Sequence, residues 1–175
     1  MLQRAATALH ARIKESGAKA PSVPVIVYAL EIVLNTVSIS LLVLIVGLLS
    51  GEMLRTAELL VIFALLRFIS GGYHLPSNAY CIVVSTIVLA TLPHINLPES
   101  VMFGLTGASS LMMIIFAPAN YDQYARISPK HYPLMKLLAC IIVASNLLLQ
   151  SDMLALAFTV QAILLLIKNK SGSGA

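Results

Sequence analysis

Long apolar runs dominate this chain, and short polar segments separate them. A helix needs roughly 20 mostly apolar residues to cross the hydrocarbon of a bilayer. The shortest run, 56–69, contains Arg67 near its end and is compatible with a full span or with a half-helix. Extended by boundary residues, the pattern predicts an all-α, polytopic membrane bundle of about six transmembrane helices. The six runs are 23–49, 56–69, 79–95, 100–117, 134–149 and 153–167.

The distribution of basic residues tests this arrangement independently. Cytoplasmic connections of membrane proteins carry an excess of Lys and Arg. If the N-terminus is cytoplasmic and all six runs cross, every one of the 11 Lys and Arg residues except Arg55 falls on the cytoplasmic side. We therefore expect six spans with both termini in the cytoplasm.

The two ends of the chain differ from its centre. In the first residues, apolar side chains recur at helical spacing with Arg4, Arg12 and Lys14 between them. This pattern predicts an amphipathic helix on the membrane surface, followed by a hinge, over residues 1–22. Residues 23–168 are predicted to form a single transmembrane domain, and residues 169–175 a flexible tail.

Composition narrows the class of protein further. Apolar residues make up 59% of the chain and charged residues only 10%, whereas soluble domains are about 25% charged. The net charge of +4 is better explained by membrane topology than by binding to nucleic acid. Cys81 and Cys140 cannot form a disulfide framework, and no His or Cys residues have metal-ligand spacing. We expect the lipid bilayer as a partner, with no metal, no cofactor and no nucleic acid.

The segment 67–81 carries the residues best suited to chemistry. It contains a Gly pair, His74, Pro76 and Cys81. Pro76 disfavours helix at the residue before it, and Ser77 or Asn78 is a good N-cap for a new helix. The chain can therefore turn back and bring His74 against the first turn of the helix that carries Cys81.

Such a turn would build a cysteine nucleophile with its base. The positive end of the helix dipole favours a thiolate at Cys81, and the imidazole of His74 can accept the thiol proton. Gly71 and Gly72 can allow close approach of a substrate backbone or adopt positive φ. The alternative interpretation is an ordinary loop followed by Cys81 as a small buried apolar residue.

The motif Arg67-x-x-x-Gly71-Gly72-Tyr73-His74, with Cys81 seven residues after the His, resembles the signature of the accessory gene regulator protein B family. Members are small bacterial membrane cysteine endopeptidases that process quorum-sensing propeptides. Phe116-Ala117-Pro118 is similar to an aromatic-Ala-Pro element of the family. The resemblance also covers the order of basic N-terminal segment, first span, catalytic block and further spans.

The resemblance implies a role for each residue of the pair. Cys81 would be the nucleophile and His74 the general base, on the cytoplasmic side of a bacterial plasma membrane. The thiolate would cleave the C-terminal part of a small amphipathic propeptide and retain the rest as a thioester. An internal Cys or Ser of the propeptide would then close a thiolactone or lactone ring.

Other polar residues near the motif are candidates for shaping the site. Arg67 can bind a substrate carboxylate or hold the loop, or it can simply extend to the lipid headgroups. Glu31 and Asn35 share a helix face and are functional candidates. The alternative for Glu31 is that it extends to the headgroups at the cytoplasmic boundary or makes an interhelical hydrogen bond. Candidates for orienting the imidazole or donating to an oxyanion are Ser70, Ser77 and Asn78.

Two other functions fit the same sequence. A small transporter or export component would use Glu31 and Asn35 to line a path, and Cys81 would then be dispensable. A non-catalytic member would bind peptide with an unactivated thiol. The chain also permits a homodimer, since small bundles of short spans often associate.

Overall fold

The fold is an all-α membrane bundle, as predicted. The computed structural model describes residues 1–73, 77–119 and 128–167. Every apolar run predicted as a span is helical along most of its length. The helices are α1 (Leu2–Glu15), α2 (Val23–Leu49), α3 (Met53–Ser70), α4 (Asn78–Thr91), α5 (Glu99–Phe116), α6 (Tyr132–Ala144), α7 (Asn146–Leu149) and α8 (Asp152–Leu166).

Within the described residues, three segments are long and apolar enough to cross a membrane, and two shorter apolar helices accompany them. α3, which contains the run 56–69, has 18 residues and a length of about 27 Å but is in neither group. The long segments are Val23–Leu49, Glu99–Phe116 and Pro129–Leu149, and the shorter ones are Asn78–His94 and Asp152–Leu166.

α2 and α3 pack closely near the end where a short turn joins them. A Cβ added at Gly47 would lie 2.5 Å from Oγ1 of Thr56, so only glycine fits this contact. Gly51, with a φ of +79°, lies in the turn between the two helices. We call this end of the bundle, which also holds the loop after α4 and the turn before α8, the distal end.

α8 is the central helix of the bundle. It packs against α3, α5 and the 3₁₀ turn Leu92–His94. A helix that is apolar on all sides is expected in the interior, and α8 has this character apart from a few polar residues. Its buried residues are Met153, Leu154, Ala155, Ala157, Phe158, Gln161, Ala162 and Leu165.

The outer faces of the surrounding helices expose large apolar side chains. On α2, Val33, Val37 and Leu41 are each at least half exposed. Such faces are unfavourable in water and favourable against lipid. Residues in the N-terminal helix behave differently, since α1 packs on α2 through the buried Ala6 while Arg12 and Lys14 lie in its last turn.

Candidate functional site

A Gly pair ends α3 and joins it to the segment after α5. Gly71 and Gly72 have φ values of +70° and +122°, which side-chain-bearing residues rarely adopt. The N–H of Gly72 donates to the carbonyl of Ala119 at 3.1 Å, and the N–H of Ala119 donates to the carbonyl of Ser70 at 3.0 Å. The aromatic-Ala-Pro element thus lies against the Gly pair, on the side of the bundle opposite the distal end. We call this side the site end.

The side chain of Arg67 binds the segment that follows α3. Its Nη1 donates to the carbonyl of Gly71 at 3.5 Å and to Oε1 of Gln161 at 3.4 Å, and its Nη2 donates to the carbonyl of Tyr73. The planar guanidinium suits this role because its donors form a fixed fork. Of the alternatives left open for Arg67, the structure shows the one in which it holds the loop.

Gln161 of α8 is a residue that the sequence reasoning missed. It is fully buried, and its Nε2 donates to Oγ of Ser70 at 2.8 Å and to the carbonyl of Gly71 at 2.6 Å. Because Oε1 also accepts from Arg67, both the nitrogen and the oxygen of the Gln161 amide are hydrogen-bonded. The available signal was a lone amide within the apolar run 153–167, where buried polar groups need partners.

Gly72 is confined by this network. A Cβ added there would lie 2.6 Å from Nη1 of Arg67 and 3.3 Å from Nε2 of Gln161. The next residue is also tied to α8, because the N–H of Tyr73 donates to the carbonyl of Leu164 at 2.9 Å. The segment that precedes His74 is therefore fixed to both α3 and α8.

Cys81 lies in the first turn of α4. The helix begins at Asn78, with Ser77 in extended conformation before it, as predicted from the N-cap pattern. Within the described residues, the Ser77 side chain makes no capping hydrogen bond. The backbone N–H of Cys81 donates to the carbonyl of Ser77 at 2.9 Å. The side chain of Cys81 is a free thiol and is half-buried.

A cavity of about 580 Å³ opens beside Cys81. Its walls come from α2, α3, α4 and α8. Along α4 the lining extends from Cys81 to Leu89, a depth of about 12 Å into the bundle. The walls that α3 and α8 contribute are apolar apart from Arg67, and the deeper parts of α2 and α4 add the hydroxyls of Ser40 and Ser85. The ionisable and amide side chains of the lining, besides Cys81 and the tyrosines, are Glu31, Asn35, Arg67 and Asn78.

Asn35 makes an interhelical hydrogen bond, a contact considered from the sequence for Glu31 instead. Its Nδ2 lies 3.2 Å from Oδ1 of Asn78, so α2 is linked to the first residue of α4. Glu31, one turn earlier on α2, lines the same cavity. The two residues thus share the face that looks towards Cys81.

The predicted residues therefore fall into two groups that meet at the cavity. Arg67, Ser70, Gly71 and Gly72 belong to the network at the end of α3, and the other group, at the start of α4, is Ser77, Asn78 and Cys81. His74 lies outside the described residues, so its pairing with Cys81 stays a prediction.

The remaining chemical candidates lie elsewhere. Cys140 is a half-buried free thiol on α6 that packs against the apolar core. In the described ranges, no three side chains of His, Cys, Asp and Glu come together as metal ligands. Residues 168–175, which include the predicted tail, and residues 120–127 lie outside the described part of the chain.

Comparison with known proteins identifies the family. The family model for accessory gene regulator B (AgrB) matches residues 5–169, which is nearly the whole chain. The chain belongs to the AgrB family. AgrB proteins are the processing component of accessory gene regulator quorum sensing, so the resemblance of the Gly-Gly-Tyr-His block is confirmed at family level.

Individual relatives carry the same name. An AgrB-like protein of Halalkalibacterium halodurans is 27% identical over 174 residues, covering 94% of this chain and 87% of the relative. An AgrB-like protein of Listeria monocytogenes serovar 1/2a is 29% identical over 113 residues, covering 62% of this chain and 55% of that relative. No solved structure matches the chain.

Proposed function

We propose that this AgrB-family protein is a membrane cysteine endopeptidase that matures a small signalling propeptide. Cys81 is its nucleophile and His74 its general base. The observation that carries the proposal is the position of Cys81, a free thiol in the first turn of a helix and on the wall of a cavity large enough for several peptide residues.

The surroundings of Cys81 suit peptide chemistry. The walls that α3 and α8 contribute are apolar apart from Arg67, whereas amide groups lie beside the thiol on α2 and α4. A partly dry cavity favours attack by an internal nucleophile over attack by water.

The reaction follows from the two residues. His74 accepts the proton of the Cys81 thiol, and the thiolate attacks a peptide carbonyl near the C-terminus of the propeptide. The C–N bond breaks, and the departing amine takes the proton from His74. The N-terminal part stays on Cys81 as a thioester until an internal thiol or hydroxyl of the peptide displaces it and closes the ring.

The orientation in the membrane follows from the charges. Arg67 lies at the site end, on the side predicted to carry every Lys and Arg residue except Arg55, whereas Glu52 and Arg55 form a 3.7 Å ion pair at the distal end. The positive-inside rule places the site end in the cytoplasm. We therefore propose a multi-pass protein of the bacterial plasma membrane, with both termini cytoplasmic and the propeptide arriving along the inner leaflet.

Co-expression with a candidate substrate tests the proposal. The substrate is a short amphipathic peptide with an internal Cys or Ser, chosen by searching the neighbouring reading frames and given a C-terminal epitope tag. We expect the wild-type protein to release the tagged fragment, and Cys81→Ala and His74→Ala each to abolish release. Cys140→Ala is the matched control, because it removes the other thiol and leaves release unchanged.

Two outcomes would overturn the proposal. Release that persists in Cys81→Ala would exclude the thiol as nucleophile and favour a transport or export function. Binding of the tagged peptide to the wild-type protein without cleavage would favour a non-catalytic, peptide-binding member of the family.

A further inference from the structure

We infer that Asn78 supplies the oxyanion donor for acyl transfer at Cys81, and that Asn35 of the first long helix positions it. The inference rests on the proposed cysteine chemistry. It assigns roles to two amides that lie on the cavity wall with the thiol.

The need for a separate donor follows from the backbone of α4. Acyl transfer passes through a tetrahedral intermediate whose oxygen is negatively charged, and donors aimed at this oxygen lower the barrier. The backbone N–H of the nucleophile is often such a donor. Here the N–H of Cys81 is already engaged with the carbonyl of Ser77 at 2.9 Å. The oxyanion therefore requires another group close to the thiol.

The side chain of Asn78 meets this requirement. It is three residues before Cys81, and residues at this spacing share a helix face. Both side chains line the same cavity. A carboxamide carries two N–H donors on one nitrogen. Within the described residues, the only hydrogen bond of the Asn78 side chain joins it to Asn35, so at least one N–H stays available in either orientation of the amide.

Asn35 explains how the amide is held. An Asn in the middle of the apolar helix α2 is costly unless it is hydrogen-bonded. Its partner is Asn78, at 3.2 Å, across the gap between α2 and α4. This bond restricts rotation of the Asn78 side chain at the mouth of the cavity. Asn35 is thus a positioning residue, and Asn78 is the group that contacts the reacting oxygen.

The test compares two reactions of the same thiol, neither of which needs the natural substrate. Iodoacetamide alkylates Cys81 by direct displacement and forms no oxyanion. p-Nitrophenyl hexanoate acylates Cys81: the thiolate adds to the ester carbonyl, the tetrahedral oxyanion collapses, and p-nitrophenolate leaves as the thioester forms. Both rates are measured on full-length protein in nanodiscs, in a Cys140→Ala background.

We expect Asn78→Ala to lower the acylation rate about 100-fold while the alkylation rate stays within about twofold, since loss of one oxyanion donor typically costs this much. Asn35→Leu should lower acylation about tenfold and should have no further effect in the Asn78→Ala protein, because it acts through Asn78. Thr91→Ala, which alters a polar residue at the other end of α4 and outside the cavity lining, is the control and should change neither rate.

Three results would contradict the inference, and each can be distinguished from a failure of the proposed cysteine mechanism. Acylation of Asn78→Ala at the rate of Thr91→Ala would exclude Asn78 as donor. An equal fall of both rates would show that Asn78 merely supports the start of α4. Additive effects of Asn35→Leu and Asn78→Ala would exclude the positioning role. If instead Cys81→Ala is acylated as fast as wild type, the cysteine mechanism itself fails.

Discussion

The two ends of the bundle each contain a fully buried carboxamide, but the amides have different kinds of partner. At the distal end, Nδ2 of Asn146 donates to Oγ1 of Thr106 and to the carbonyl of Ser151, each at 3.1 Å, and its Oδ1 accepts from the N–H of Ser151 at 3.0 Å. These bonds close the turn between α7 and α8 and link it to α5.

At the site end, Gln161 contacts Ser70, Gly71 and Arg67, which belong to the segment that precedes His74 in the sequence. Both amides satisfy the rule that buried polar groups are paired. Burial and hydrogen bonding of an amide therefore do not by themselves indicate a function. The indication comes from the segment to which the amide is bonded, which at the site end is the segment before His74. We therefore expect damage at the distal end to cost stability and damage at the site end to cost activity.

The largest loss of activity is expected from Gly72→Ala. Gly72→Ala places a Cβ 2.6 Å from Nη1 of Arg67 at a strained φ of +122°, so either the guanidinium leaves its partners or the segment before His74 shifts. Displacements of about 1 Å in a catalytic group can lower rates about 100-fold, and we expect a loss of this size in the rate of tag release.

Gly51→Ala is the matched control at the distal end. Gly51 has a φ of +79°, and a Cβ added there has no neighbour within 4 Å from elsewhere in the described chain. The alanine variant therefore strains the backbone without overlapping another side chain. We expect a loss of about 1 kcal/mol of stability and unchanged tag release per folded molecule. Equal losses of tag release in both variants would contradict the contrast between the ends.

A smaller effect is expected from Arg67→Lys. The ammonium keeps the charge but lacks the fork that reaches the carbonyls of Gly71 and Tyr73 together. Loss of one hydrogen bond from a charged group corresponds to about 1.5 kcal/mol, or roughly a tenfold lower rate of tag release. A fully active Arg67→Lys protein would mean that the side chain only supplies charge near the headgroups.

The paired variants Gln161→Leu and Asn146→Leu test the comparison itself. Each leaves buried partners unsatisfied, which costs about 1–3 kcal/mol of stability. We expect the rate of tag release per folded molecule to fall about three- to tenfold in Gln161→Leu and to stay unchanged in Asn146→Leu. Thermal inactivation and tag release, measured on the same nanodisc samples, separate the two effects. Equal loss of activity would show that both amides are purely structural.

The smallest effect is expected from Cys140→Ala. The side chain is half-buried against the core and has no part in the proposed chemistry. We expect tag release within about twofold of wild type. A large loss would indicate a role for α6 at the site.

The sequence predicts the helices well because membrane spans have a strong one-dimensional signal. Length and polarity located all six runs, and Pro76 with Ser77 located the start of α4. The Gly pair and Arg67 were recognisable because their spacing resembles the family motif.

Contacts between distant segments were not predictable in the same way. Nothing local to residues 153–167 indicates that Gln161 faces Ser70, about 90 positions earlier, because the pairing depends on how α8 is inserted among the other helices. The cavity likewise requires four helices to be placed together. Asn35 was noticed as an unusual residue, but its partner became evident only from the packing of α2 on α4.

The most direct test of the central claim follows the thiol of Cys81 without any substrate. Cys140→Ala protein in nanodiscs is treated with iodoacetamide across a range of pH, with and without the additional change His74→Ala. We expect Cys81 to be alkylated readily at about pH 6.5 and the reactivity at that pH to disappear without His74. A thiol that is inert, or that reacts equally with and without His74, would contradict the cysteine–histidine mechanism.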